Sequence, residues 1–475
     1  MKVRTVKNPP LWLSVLPVAA LLLVLLVIIL AKGAGAVSEC SHLVLCGATV
    51  FALVLSFLCG SFSKRGMLTG LIRSSRQVMP AIPMLFCIAM VATTWMLGGV
   101  VPTLIDYGLR MLHPSFFLVT ACVVCAVISV LTGSSWSTIA TIGVAFMGIG
   151  HLMGFHPGWV AGAVISGAYF GDKISPLSDT TVLASSACGV DLFKHMKYLM
   201  LTSVPALFVA LVVFLVAGFA YGDAEVAHSS ELFGALRSTF NITPLTLIVP
   251  ALTLLLIVLR VPTLITLALS ALLGFVSIFI LQEHEGLSVA GALSSLWGGS
   301  SLATGMPMLD ELVSTGGIRG MLPTIMLVLS AMLFGSVLMG SGMLASITGA
   351  ITKRLRRRTS IVGATVCSGL FMNSATADQY LSLIVTGNMY RNVYRRFGLE
   401  PRLLSRTIED SVSATSVLIP WNSCGITQST VLGVSTLVYF PFCIFNILSP
   451  CMSLVMVWTG YRIRSLSHRR MVAAS

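Results

Sequence analysis

Apolar runs of about 20 residues recur along the chain, each long enough to cross the roughly 30 Å core of a bilayer as a helix rising about 1.5 Å per residue. In the first half they fall at 11–31, 42–62, 78–98 and 199–220, and in the second at 242–259, 263–281, 321–345 and 433–460. Four further stretches are apolar but interrupted. Residues 115–150 form two arms around Gly133-Ser-Ser-Trp-Ser-Thr138, and 359–390 form two arms around Asn373-Ser-Ala-Thr-Ala-Asp378. Segments 158–188 and 401–430 each stop at a proline, Pro176 or Pro420, with Ser, Asn and Asp about the stop. A hydrophobic run halted midway by proline and small polar residues has the pattern of a broken transmembrane helix.

The interrupted segments match between halves. An offset of 244 sets Pro157 on Pro401, Pro176 on Pro420, Ser178 on Asn422 and Asp179 on Ser423. An offset of 240 sets Gly133 on Asn373 and Thr138 on Asp378. Broken helices in corresponding positions of two halves point to the substrate site of a secondary transporter.

Composition restricts the class. The 475 residues are 56% hydrophobic and 9% charged, with a mean hydropathy of +0.95. That is too little charge to solvate a soluble fold of this size, so the expected fold class is an all-α polytopic membrane protein. The net charge of +13 comes from Lys and Arg at the ends of spans, a topology signal and not a nucleic-acid footprint. The cysteines sit mostly in apolar runs (Cys122, Cys125, Cys367, Cys443) and read as buried thiols. The basic start, Met1 to Lys7, precedes an apolar run longer than a signal-peptide core, so a retained first span is expected.

Basic loops orient the spans. Lys64, Arg65, Arg73 and Arg76, then Lys194 and Lys197, Arg260, the run Lys353–Arg358, Arg391, Arg395 and Arg396, and the tail with Arg462, Arg464, Arg469 and Arg470 are placed inside. Loops 221–240 and 282–320, which carry most of the remaining acids, are placed outside. With 115–150 and 359–390 as re-entrant hairpins, each half crosses the membrane five times. An odd number makes the halves inverted-topology repeats, 1–220 and 241–475, joined by an outside linker at 221–240, with both termini inside.

Of the sixteen Asp and Glu, five fall within apolar segments: Asp172, Asp179, Asp378, Glu409 and Asp410. A carboxylate at bilayer depth costs about 2.5–3.5 kcal/mol, which calls for a reason. Binding a cation and exchanging it for protons is one; structural ion pairing is the other. Asp172 is read either as the partner of the adjacent Lys173 or as a ligand, and Glu409 and Asp410 either as partners of Arg402 and Arg406 or as site residues. Around the acids, Ser178, Thr180, Asn373 and Asn422 supply oxygens suited to a hard monovalent cation, with Ser134, Ser135, Thr138 and Thr376 as a secondary set. Tight packing between membrane helices is the alternative role for such small residues. The histidines lack metal-ligand spacing, and no H-E-x-x-H, P-loop or G-x-S-x-G occurs, so no enzyme chemistry and no cofactor are expected.

The segments Gly171-DKISPLSDTT, Thr376-ADQYLSLIVTGNMY and Glu409-DSVSATSVLIPWNSCG, with Gly133-SSWST, resemble the NhaC family of Na⁺/H⁺ antiporters, and the similarity spans nearly the whole chain. The resemblance implies inverted repeats with re-entrant hairpins and broken helices in the cytoplasmic membrane, and exchange of Na⁺ for H⁺. On that reading, Na⁺ is expected among the intramembrane acids and polar residues Asp179, Asp378, Ser178, Thr180, Asn373, Asn422 and Asp172. Dimers are common in the wider superfamily, which makes a homodimer in the lipid bilayer the expected assembly. Some relatives exchange organic anions such as malate and lactate. The alternative cargo is therefore a carboxylate or amino acid, with Lys173 and the broken-helix N-termini holding its anionic group.

Overall fold

The computed structural model of the chain describes residues 9–32, 36–79, 81–221, 229–259, 261–282, 288–301, 310, 313–352 and 357–461. The basic positions Arg260, Lys353, Arg354, Arg356 and those of the tail, and the acids Asp223, Glu225, Glu283 and Glu285, lie outside the described residues. Within them every regular element is helical, and the strand-like geometry is one bridge between Ser300 and Thr315.

Helices α1 (Leu11–Lys32), α2 (Ala36–Leu58), α3 (Lys64–Val78), α4 (Ala81–Leu97) and α5 (Val100–Met111) open the first half. The first interrupted stretch is α6 (Pro114–Thr132), the short α7 (Ser135–Thr138), a π turn (Ile139–Gly143) and α8 (Val144–Leu152). The first broken segment is α9 (Pro157–Ile174) and α10 (Asp179–Cys188), and α11 (Leu192–Tyr221) closes the half. In the second half come α12 (Ser229–Thr239), α13 (Ile248–Val258), α14 (Thr263–Ile280), α15 (Val289–Gly298), α16 (Gly317–Gly340) and α17 (Met343–Thr352). The second interrupted stretch is α18 (Arg358–Thr376) and α19 (Gln379–Arg396). The second broken segment is α20 (Pro401–Ile408), a π turn (Glu409–Ser413), a 3-10 turn (Ser416–Leu418) and α21 (Ser423–Leu432). The last described elements are α22 (Thr436–Tyr439), a 3-10 turn and α23 (Ile444–Thr459).

Six of these helices are long and apolar enough to cross a membrane, or up to eight if each of two bent pairs is one span. Their outer faces fit that reading. Leu23, Phe208 and Trp458 are among many large apolar side chains left exposed, a surface that water would not tolerate and lipid does.

Two expected spans differ from straight helices. The run at 78–98 is α4, which turns by 67° into α5 at Gly98–Gly99. Gly99 has φ +73°, the left-handed conformation that only glycine adopts without strain. The last span, 433–460, bends by 57° between α22 and α23. The α5 helix also corrects the count of interior acids. Asp106 is buried there, held by Arg110 at 3.1 Å and by Arg237 of α12 at 3.3 Å. Local sequence could not reveal that, because Arg237 is distant in the chain. Cys122 and Cys125 are buried free thiols at C-x-x-C spacing on α6, whereas Cys367 is exposed.

A close seam joins α6 to α9. A methyl group on Gly167 would stand 2.0 Å from the Cys122 carbonyl oxygen, and one on Gly171 2.3 Å from that of Ala126. Only glycine allows the two backbones so close, which fixes α9 against α6 in a parallel register. Gly167→Ala is therefore expected to lower the thermal unfolding temperature of the purified protein, by overpacking worth about 1–3 kcal/mol. Gly363→Ala, at a position with nothing within 4 Å, should not. Equal melting temperatures for the two variants would contradict this packing.

Candidate functional site

Both interrupted stretches fold back on themselves. In the first, Phe117 on the opening turns of α6 meets Phe146 of α8 (6.0 Å between ring centroids) and Phe155 just beyond it (5.4 Å). In the second, Thr365 and Ser368 of α18 hydrogen-bond the hydroxyls of Tyr394 and Tyr390 of α19, at 3.2 and 2.9 Å. The two hairpins open towards opposite ends of α11. Phe116 at the start of α6 contacts Phe219 near the end of α11, while α19 leads into α20, whose Ser405 bonds His195 in the first turn of α11 at 2.9 Å. The hairpin tips lie at the level of Lys173, which shares Asp410 with Thr202 of α11. Thr202 stands about 15 Å along that helix, so the tips sit within the span and not at its ends.

At each tip and break the backbone is out of helical register, and short polar side chains satisfy the exposed N–H groups. This is what the absence of water demands. Gly133 and Ala377 both turn left-handed, with φ +67° and +54°. After them, Ser134 caps α7 by accepting from Ser137 N (3.3 Å), and Asp378 caps α19 by accepting from Leu381 N (2.8 Å). Thr132 Oγ1 donates to the Ser134 carbonyl (3.2 Å), and Thr376 Oγ1 to that of Asp378 (3.0 Å). At the breaks, Ser178 caps α10 through Thr181 N and Asn422 caps α21 through Cys424 N. All four pairs share the offset of 244. The offset of 240 expected for the hairpins is thus corrected: it matched polar letters, whereas the turns correspond by backbone conformation.

Many of the sequence-selected oxygens are consumed by this capping. Asn422 Nδ2 bonds the Asn373 carbonyl (3.1 Å), and Asn373 Nδ2 bonds the Val412 carbonyl (2.7 Å), leaving Asn373 Oδ1 unpartnered. Thr138 bonds the Ser134 carbonyl (3.0 Å), and the hydroxyls of Ser178 and Thr180 bond each other (3.0 Å).

A cavity of about 610 Å³ opens between the tips, lined by Trp136, Asp172, Asp179, Thr180, Gln379 and Tyr380 among others. Asp172 projects into it while accepting from the Ser135 N–H (3.2 Å) and hydroxyl (2.7 Å). Asp179, the first residue of α10, is exposed to it. Asp378 is buried as a cap beside the wall formed by Gln379 and Tyr380 and does not itself line the cavity. The pair the structure brings together is therefore Asp172 with Asp179. A second cavity of about 460 Å³, with His151, Met96 and Gly433 in its wall, lies beyond Ala140, one helical turn past Trp136.

Next to the first cavity is a fully buried charge cluster. Lys173 pairs with Asp410, not with the adjacent Asp172, because neighbours on a helix point in different directions. Asp410 also accepts from Thr202 (3.1 Å), Ser449 (3.1 Å) and Ser453, and Arg406 Nε lies 3.9 Å from it. Arg406 stacks over Tyr198 at 4.7 Å, and Arg402 is paired with Glu400. Glu409 has neither oxygen hydrogen-bonded and is completely buried. Sequence reading missed Thr202, Ser449 and Ser453, which are scattered through otherwise apolar spans, and Gln379 and Tyr380, which follow a cap. The prolines near them, Pro205 and Pro450, were the available signal.

The profile of the Na⁺/H⁺ antiporter family matches residues 8–189 and 167–461. The chain belongs to the Na⁺/H⁺ antiporter family. It is 36% identical to the Na⁺/H⁺ antiporter NhaC of Alkalihalophilus pseudofirmus over 81% of this chain and 83% of that one. It is 34% identical to the malate-2H⁺/Na⁺-lactate antiporter of Bacillus subtilis, covering 86% and 87%. It is 31% identical to the arginine/ornithine antiporter ArcD of Halobacterium salinarum, covering 96% and 93%. As a member of an antiporter family, the chain is a multi-pass membrane transporter.

The buried pair yields a prediction for this antiporter. Lys173→Met removes the direct partner of Asp410 and leaves Arg406, at 3.9 Å, as its remaining cation, at an expected cost of about 3 kcal/mol in unfolding stability. Adding Asp410→Asn should recover much of it. Equal stability of the single and double variants in thermal unfolding would contradict the pairing.

Proposed function

We propose that the protein exchanges Na⁺ for H⁺ across the cytoplasmic membrane, with Na⁺ held in the cavity between the hairpin tips. The observation that carries this is the meeting of two carboxylates, Asp172 and Asp179, on one cavity at a helix break within the span. Thr180 and Gln379 add neutral oxygens to the same wall, which suits a partly dehydrated monovalent cation. Asp378, Ser178, Asn373 and Asn422 serve this site by holding the tips and breaks in place.

Residues 1–220 and 241–475 are read as inverted repeats with both termini inside. The hairpins opening towards opposite ends of α11, and the capping pattern recurring at offset 244, support that reading. Exchange then alternates between the two cavities, which are separated by the single turn from Trp136 to Ala140.

The names of the malate/lactate and arginine/ornithine relatives favour a second reading, an organic-solute exchanger on the same scaffold. Charge argues against it. Lys173 and Arg406 are committed to Asp410 and Tyr198, and so are not presented to the cavity as a carboxylate anchor.

The test is proton flux in everted vesicles or proteoliposomes, followed with a pH dye, on separate addition of Na⁺, Li⁺, K⁺, malate, lactate or arginine. Na⁺ should evoke proton movement, and Asp172→Asn and Asp179→Asn should abolish it while the proteins still reach the membrane. Silence with every cation and a response to an organic solute would instead establish the second reading.

A further inference from the structure

Helix α21 runs from the second break towards the second cavity. Its first turn sets Cys424 beside Trp136, which lines the first cavity, and its last turn brings Thr430, Val431 and Leu432 to the wall of the second. From Cys424 to Val431 is about 10 Å of helix. That length packs on the π turn Ile139–Gly143 and forms the other side of the barrier between the cavities. Gln428 stands in the middle of it, one turn beyond Cys424 and one turn short of Val431 and Leu432. Positions 424, 428, 431 and 432 share one helix face.

Gln428 is completely buried, and neither its amide oxygen nor its amide nitrogen has a hydrogen-bond partner among the described residues. Other polar groups around it are settled. Thr427 Oγ1 donates to the Ser423 carbonyl (2.7 Å), Thr430 Oγ1 to that of Ile426 (2.9 Å), and the Tyr439 hydroxyl to that of Gly425 (3.2 Å). The unsatisfied groups gather on the face of Cys424 and Gln428 instead. The Trp136 indole N–H and the Tyr169 hydroxyl lie beside the Cys424 thiol without closing a bond, and both are buried. A dry primary amide destabilises a fold in a way that a leucine of similar size would not. Its presence here calls for an occupant. An amide oxygen suits a monovalent cation that has shed part of its water. Because it is neutral, it can accept the ion without trapping it.

We propose that Gln428 is a transient cation site between the two cavities, its amide oxygen receiving Na⁺ from the carboxylates of the first cavity and passing it to the second. This deepens the exchange reading and rests on it. The Tyr169 hydroxyl supplies a further neutral oxygen on the same route. Asp172 and Asp179 line the first cavity and Gln428 does not. The amide therefore acts on the ion in passage, and it sets the rate of exchange without setting the resting affinity for Na⁺.

The experiment compares Gln428→Leu and Thr427→Val with the unmodified full-length protein in three measurements: melting temperature, equilibrium binding of radioactive Na⁺, and the initial rate of Na⁺-driven proton movement in proteoliposomes. Gln428→Leu removes two unsatisfied polar atoms, so it should melt at or above the temperature of the unmodified protein, and it should bind Na⁺ with unchanged affinity. Its exchange rate should fall about tenfold or more, the size expected when a charged ion in passage loses one oxygen partner. Thr427→Val, adjacent but bonded within its own helix, should keep the rate. Exchange by Gln428→Leu at the unmodified rate overturns the proposal. A lower melting temperature also overturns it, because the amide is then a structural partner. Loss of Na⁺ binding at an unchanged melting temperature makes Gln428 a ligand of the resting site, and the proposal falls. An equal loss of rate in Thr427→Val has the same consequence, since any change on α21 would then slow exchange. If the unmodified protein neither binds Na⁺ nor moves protons on its addition, the exchange reading falls and this one with it.

Discussion

The constraint on which the site depends is that a helix cannot stop inside a bilayer without leaving donors and acceptors stranded. Each break here is closed by a side chain of the smallest useful kind: Ser134, Asp378, Ser178 and Asn422 accept from the N–H groups that follow them. The hairpin tips are then tied to the breaks. Ser423 N donates to the Ala377 carbonyl at 2.9 Å, Trp421 Nε1 to that of Ser374 at 2.8 Å, and Ser175 Oγ to that of Val130 at 2.8 Å. Without those bonds, each orphaned backbone group would cost several kcal/mol in lipid. The cavity therefore exists as a by-product of satisfied backbone, and its polar lining is what remains after capping has taken its share.

That division explains why polar residues of one type have two fates in this chain. Ser178 and Asn422 are spent on structure, whereas Asp172 accepts from Ser135 and still lines the cavity. Asp410 and Glu409 show the same division among acids. Asp410 draws its partners from α9, α11, α20 and α23, so it ties four elements together. Glu409 adds nothing to that network, and a buried carboxylate that contributes no stabilising bond is an expense the fold carries for another reason.

Much of the architecture was legible in the letters. Pro176 and Pro420 mark breaks that open after Ile174 and after Leu418 and close at Asp179 and Ser423, in a single register of 244. The hairpins were legible as stretches but not in their pairing, because a left-handed turn is made by glycine at 133 and by alanine at 377. Conformation, not residue type, carries the correspondence there. Charge pairing was the least legible. Asp172 beside Lys173, and Arg402 near Glu409, are close along the chain but aim differently, while the true partners, Lys173 with Asp410 and Asp106 with Arg237, meet only through packing. The bends at Gly99 and before α23 were hidden because an apolar run looks the same whether it is straight or folded.

The proposed alternation between two cavities demands that the barrier between them be thin and that each side of it be held by few bonds. The turn from Trp136 to Ala140 meets both conditions. It begins at a capped tip, passes into the π turn Ile139–Gly143, and leaves the buried Trp136 indole N–H without a partner. A π turn stores one extra residue per turn, so shifting it along the helix rotates the side chains behind it without breaking the capped tip. The second π turn, Glu409–Ser413, lies behind the other hairpin and carries the unpaired acid. One loosened turn thus borders the route between the cavities and the other borders the charge cluster, with Asp172 and Lys173 of α9 adjacent to both. Movement of α9 against α6 is opposed by the close glycine seam at Gly167 and Gly171.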